Sequence, residues 1–168
     1  MANEGKQDAT HLLMDDHRKV EDLFEQFEKA SGDGRKEKIA RQICMELKVH
    51  AMIEEEIFYP ALRGKIKDDD LDEAYVEHDG AKLLINEIEA GGPDDSFYEA
   101  KVKVLQEQIE HHVEEEEKIR ENIFQQARAT DVDLVALGEK MAARKAELLQ
   151  RAETDGLPPA EPATMTEA

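Results

Sequence analysis

His50 and Glu54 stand four residues apart in the stretch Leu47–Pro60, beside an apolar stripe of Leu47, Met52, Ile53, Ile57 and Phe58. Four residues turn a helix by about 400°, so the imidazole and the carboxylate project from nearly the same face, one turn apart. Burying such a pair without partners is costly, and a metal ion is the simplest group that satisfies both. The pattern occurs twice. Ile109 to Ile119 lines up with Leu47 to Ile57, placing His112 and Glu116 at the positions of His50 and Glu54. Each of these segments is preceded by a lone histidine. His17 is followed by Leu23, Phe24 and Phe27, and His78 by Leu84, Ile85 and Ile88, at the same offsets. His17 to His50 spans 33 residues and His78 to His112 spans 34. Two similar hairpins, paired about an approximate two-fold, would bring four histidines and two glutamates into one core.

Those donors suit two cations. A mixed nitrogen and oxygen set without thiolate fits iron, with manganese or zinc left open. Glu54 and Glu116 are each able to bridge two ions, and their charges offset a cationic pair in a core. Ferritin-like di-iron bundles use Glu-x-x-His instead, a spacing absent around His50 and His112.

The elements that must position these groups are helices. Leu12, Leu13, His17, Val20, Leu23, Phe24 and Phe27 follow a helical period that ends at Ser31–Gly34, with Thr10 as a cap. A second helix is predicted from about Arg35 to Gly64, bent near Pro60. A third runs to about Glu89 and stops at Gly91-Gly92-Pro93. A long fourth is predicted to reach Arg128. Leu134, Leu137, Met141 and Leu148 mark a fifth. Short loops imply antiparallel neighbours. The fold class is all-α, an up-down-up-down four-helix bundle plus a C-terminal fifth helix. The expected divisions are a flexible N-terminus at 1–9, the bundle at 10–128, an accessory helix at 129–152 and a disordered tail at 153–168.

Forty-one acidic residues against 22 basic give a formal charge of −19. That makes nucleic acid and anionic membranes poor partners. One cysteine, Cys44, leaves no internal disulfide and no Cys-based zinc site. No run reaches the length of a membrane span and no signal-like segment opens the chain. The expectation is a cytoplasmic protein, monomer or homodimer, whose partner is a small molecule.

The pattern His17, His50-x-x-x-Glu54, His78, His112-x-x-x-Glu116 resembles the hemerythrin-like HHE cation-binding family, from about Thr10 to Arg128. Ile57-Phe58-Tyr59-Pro60, the Glu54-Glu55 doublet and the Glu77-His78 pair resemble it too. The resemblance implies a four-helix bundle with a non-haem di-iron centre bridged by two carboxylates and an oxygen species. It also implies binding of O2, sensing or scavenging of reactive oxygen or nitric oxide, or iron handling. The chain departs from the O2 carriers of that family, which carry His-x-x-x-His on the third helix. Here Lys82 stands four after His78, and the fourth-helix carboxylate is a Glu four after its His rather than an Asp five after. Water, O2, peroxide or a further carboxylate could take the place of the missing imidazole. Glu21, equivalent in the repeat to Lys82, is the candidate for an additional metal ligand, with a surface partner for Arg18 or Lys19 as the plainer account. Peroxide or O2 chemistry gains weight over reversible carriage. A sensor, or a protein that stores or delivers iron, is the alternative. His11 reads as a helix-start residue, His111 as outward-facing and Cys44 as a buried inert thiol. Met14, Phe24, Ile53, Phe58 and Val113 read as either core or the wall of an O2 pocket.

Overall fold

The computed structural model describes residues 7–165. Helix α1 is Ala9–Lys29, α2 is Asp33–Ile53, α3 is Asp68–Ala90 and α4 is Tyr98–Val113. A short α5, Ile123–Arg128, and a long α6, Leu134–Thr154, follow, and no strand occurs among the described residues. The order gives an antiparallel four-helix bundle, with α6 laid against α1 and α2. Among the described residues, no helix is long and apolar enough to cross a membrane.

Asp8, not Thr10, caps α1: its carboxylate accepts the His11 N–H at 3.1 Å and the Thr10 hydroxyl at 2.7 Å. A carboxylate that accepts both donors satisfies an orphan amide of the first turn more fully than the hydroxyl alone. Of the predicted flexible N-terminus, residues 1–6 lie outside the described residues.

Both site-bearing helices, α2 and α4, widen near their ends. The Tyr59 N–H bonds to Glu54 O, and the Ile119 N–H to Glu114 O at 2.9 Å, each five residues back. A wider turn separates successive side chains by less than the roughly 100° of an α-helix. It thus helps Glu54 and Glu55, and Glu116 and Glu117, turn towards one layer. Past its wide turn, α2 continues over Tyr59–Leu62, since Pro60 lies in a first turn that needs no donor there. Gly64, at φ 79°, ends it.

The fourth helix does not run on to Arg128. It breaks after Lys118, Glu121 takes φ 57°, and Asn122 restarts the chain as α5. Asn122 accepts the Gln125 N–H at 2.9 Å while Gln125 Oε1 accepts the Asn122 N–H at 3.3 Å. This reciprocal cap stabilises the new start by about 1 kcal/mol. The break lets Phe124 turn back into the core, stacked 6.0 Å from His17 and edge-on to Phe58.

Two apolar layers fill the bundle. One holds Leu13, Ile53, Phe58, Leu62, Leu71, Phe124, Met141 and Leu148. The other holds Phe24, Ile43, Cys44, Ile85, Ile88, Tyr98 and Leu105. Cys44 is buried there and burial pushes its thiol up to about 12, which keeps it inert. Helix α6 closes the first layer through Met141 and Leu148, with Gly138 flush against the Asp8–Ala9 backbone.

Of the tail expected to be disordered, residues 166–168 lie outside the described residues, and residues 157–165 lie extended across α2 and α3. Asp79 accepts the N–H groups of Ala163, Thr164 and Met165 and the Thr164 hydroxyl, at 2.6–3.0 Å. Asn86 pairs with both backbone groups of Ala160, at 2.8 and 2.9 Å. Composition pointed to disorder because these partners are about 75–110 residues away and leave no local signal. The prolines at 158, 159 and 162 lower the entropic cost of ordering the segment.

Candidate metal centre

Between the two apolar layers runs a polar one. His17 on α1, His50 and Glu54 on α2, His78 on α3 and His112 and Glu116 on α4 meet there, all buried. The helical period explains it: Leu13, Ile53 and Ala74 in the core lie one turn from His17, His50 and His78, and partly buried Ile109 lies one turn from His112.

Two donor groups form. His17, His50 and Glu116 make one, and Glu54, His78 and His112 the other. The carboxylates lie between the groups. Glu54 Oε1 is 3.0 Å from His50 Nε2 and 3.2 Å from His78 Nε2. Glu116 Oε1 is 2.7 Å from His112 Nε2 and 3.5 Å from His17 Nε2. Each glutamate therefore faces a histidine of each hairpin.

The outer nitrogens are held by further carboxylates, arranged with the same pseudo-symmetry. His50 Nδ1 donates to Asp16 at 2.9 Å and His112 Nδ1 to Glu77 at 2.9 Å. Asp16 and Glu77 each precede the lone histidine of their own helix. His78 Nδ1 donates to Glu55 at 2.7 Å. Glu117 faces His17 Nδ1 at 3.7 Å, an ion-pair distance too long for a hydrogen bond. A proton on Nδ1 leaves the Nε2 lone pair free and aimed at the shared space. Three of the backing carboxylates also meet a cation, Lys145 Nζ lying 2.5 Å from Asp16 and Lys82 Nζ 2.9 Å from Glu55, while Arg18 pairs with Glu117; Glu77 meets the His111 imidazole, Nε2 at 3.1 Å.

The donor set fits cations. Nε2 of His17 and His50, both carboxylate oxygens of Glu54 and Glu116 Oε1 are buried with no hydrogen-bond partner. His78 Nε2 and His112 Nε2 point at each other 3.1 Å apart. Several unsatisfied acceptors in one buried layer call for a shared positive charge. The electrostatics agree. Burial alone would lower the His50 imidazole, but Glu54 and Asp16 push it up to about 10. Burial likewise opposes charge on His112, yet Glu116 and Glu77 hold it well above its ordinary value. His17 goes the other way, pulled down by burial against Glu116. Burial would raise Glu54, and His50 and its other partners hold it well below the usual carboxylate range.

Glu21 is not part of the layer. It is partly exposed and pairs with Arg18 at 3.2 Å and Lys118 at 3.8 Å, so its carboxylate is neutralised at the surface. Lys82 does not enter the layer either: its ammonium goes to Glu55, Asp79 and Glu161 O. Tyr59 stands at the His78/His112 end instead. Its hydroxyl donates to Glu116 Oε2 at 3.2 Å and lies 3.4 Å from Nε2 of both histidines. Burial, then Glu116 and Glu54, raise its pKa well above the ordinary value, so it stays protonated. Periodicity could not single out Tyr59, because a buried tyrosine beside Phe58 reads as core. Asp16 and Glu77 carried one signal, their shared place before His17 and His78. His111 faces outward, towards Glu77 and Glu115, and His11 pairs with Asp8 at the helix start.

A cavity of about 320 Å³ opens onto His17, His50, His78 and His112. Val20, Leu47, Met52, Ala81, Ile85 and Ile109 supply apolar wall. Of the residues weighed as a pocket wall, Val113 lines it, while Met14, Phe24, Ile53 and Phe58 do not.

A four-helix bundle with a layer of histidine and glutamate across its waist defines a cation-binding helical domain. The chain matches the family model of the Hemerythrin HHE cation binding domain over residues 8–121, and it belongs to that family. Helix α6 and the tail lie beyond the matched residues. The chain is 31% identical over 102 residues to a DNA nickase of Nostoc sp. (strain PCC 7120), covering 61% of this chain and 29% of that protein. It thus spans less than a third of that relative. A crystal structure of a Hemerythrin HHE cation binding domain-containing protein from Mycobacterium kansasii has the same fold. The TM-score is 0.74 at 24% identity, over 90% of this chain and 95% of that one.

Proposed function

We propose that His17, His50, Glu54, His78, His112 and Glu116 would hold two iron ions, with the two carboxylates lying between the donor groups, and that this centre binds O2 or reacts with peroxide. The observation that carries the reading is the facing pair His78 Nε2 and His112 Nε2, 3.1 Å apart beside the unpartnered Glu54 oxygens. Bound iron supplies Lewis-acid and redox chemistry. The chain's own residues do the rest. Asp16, Glu55 and Glu77 fix three imidazoles in the tautomer that presents Nε2 inward. The Tyr59 hydroxyl offers a proton at the His78/His112 end. Apolar walls keep bulk water away from the donors. Position 82 holds a lysine, turned to Glu55, so α3 offers one imidazole rather than two. That favours reaction with a small oxygen species over reversible carriage.

Metal analysis with absorption spectroscopy on purified protein tests the reading. Iron near two equivalents per chain is expected, one for each donor group. Near-UV bands of a bridged diferric pair should change on adding peroxide. Zinc in place of iron, or iron far below that content, sinks it. A second reading, a redox or nitric oxide sensor, is favoured by the chain Lys145–Asp16–His50, which joins α6 to the donor layer. Proteolysis across residues 129–154 should then differ between oxidised and reduced protein, and identical digestion counts against it.

A further inference from the structure

The C-terminal segment closes the cavity that opens onto the four histidines. Leu157, Pro158, Pro159, Ala160 and Glu161 form one of its walls. The segment is fastened along its length. Lys48 Nζ donates to Pro158 O at 3.0 Å, and Lys82 Nζ to Glu161 O at 2.9 Å. Asn86 clasps Ala160, and Asp79 gathers the backbone from Ala163 to Met165. Lys48, Lys82 and Asp79 are themselves buried. Charged groups are seldom buried without partners, and here the segment's carbonyls and N–H groups complete their sets. Its docking is therefore built into the fold of α2 and α3. The segment holds no helix of its own, and apart from Leu157, which packs on the first apolar layer, the bonds named above are what fasten it.

We propose that residues 157–165 are a strap that sets, by size, which molecules reach the donor layer. With the strap in place, the space before the four histidines is a cavity of about 320 Å³ with the strap as one wall. A polydentate chelator, which must surround the ion, reaches it slowly until the strap lifts. The proposal rests on the reading that the six residues hold metal. The strap joins the site to a part of the chain beyond the matched family residues, so access here is set by a feature outside the common domain.

The test compares metal extraction by a small ligand, acetohydroxamate, and a large one, EDTA. Three proteins are used: the full chain, a chain ending at Gly156, and Asn86→Ala, which removes both bonds to Ala160 and touches no donor. Truncation should speed EDTA extraction at least tenfold and leave the acetohydroxamate rate within twofold, with Asn86→Ala intermediate for EDTA. Equal EDTA rates in the full chain and Asn86→Ala, with the truncated chain equal or unfolded, overturn the strap. If the purified chain carries no metal, the reading under Proposed function fails instead. The strap is then read by anilinonaphthalene sulfonate fluorescence. Dye binding stronger in Asn86→Ala and the truncated chain than in the full chain supports it, and equal binding overturns it.

Discussion

Asp16 accepts the Nδ1 proton of His50 at 2.9 Å and, through its other oxygen, meets Lys145 on α6. One carboxylate therefore orients a donor of the buried layer and ties it to a helix outside the four-helix core. Glu77 likewise orients His112, but its other oxygen meets His111 of the same helix. The two hairpins thus repeat the groups behind the donors as well as the donors themselves.

Replacing Asp16 by asparagine keeps the shape and removes the charge that holds the His50 tautomer. Metal affinity should fall by about 10–100-fold, the usual cost of losing such a partner. Competition against a chelator of known affinity measures it. Lys145→Met, one bond further out, should cost less, and an equal cost would contradict this order.

The Tyr59 hydroxyl donates to the Glu116 carboxylate, and both side chains are fully buried. Tyr59→Phe keeps the ring and removes the donor. The expected loss is about 1.5–3 kcal/mol of stability, as for hydrogen bonds to charged groups. Urea midpoints of the metal-stripped proteins give the value. In the metal-loaded proteins the near-UV bands should shift as well.

Stability of protein stripped of metal should depend on pH through His50 and Glu54. His50 is raised from 6.5 to about 10, so its contribution is complete below pH 6.5 and is lost as pH climbs through 10. Glu54 is lowered well below 4.5, so its contribution is complete above that value and is lost in acid. The two belong to one coupled pair and count once. Urea midpoints should decline as pH rises from 6.5 towards 10, and should fall in acid, where protonating Glu54 and the buried His17 both cost stability. Metal uptake displaces the imidazolium proton and should release acid, measurable by calorimetry in buffers of different ionisation enthalpy.

Glu21 pairs with Arg18 and Lys118 at the surface. Glu21→Ala should leave metal content unchanged and alter stability by no more than about 0.5 kcal/mol. A lost equivalent of metal would return Glu21 to the donor set.

The local parts of this protein were legible from the chain alone. The 3.6-residue period and the turn signals gave the four helices, because a helix face is set by neighbours three and four residues away. The same locality placed His50 above Glu54 and His112 above Glu116, and the repeat matched His17 with His78. Which groups stand behind those donors was decided by tertiary structure, since His78 meets Glu55 and Asp16 meets Lys145 only when separate helices pack. Packing also broke the fourth helix at Asn122, where a cap and a buried Phe124 outweigh continued helix. It turned Glu21 outward and placed Tyr59 at the donor layer. The tail shows the division most clearly. A proline-rich segment has no local reason to order, and it docks because Asp79, Asn86, Lys48 and Lys82 present buried polar groups that its backbone completes.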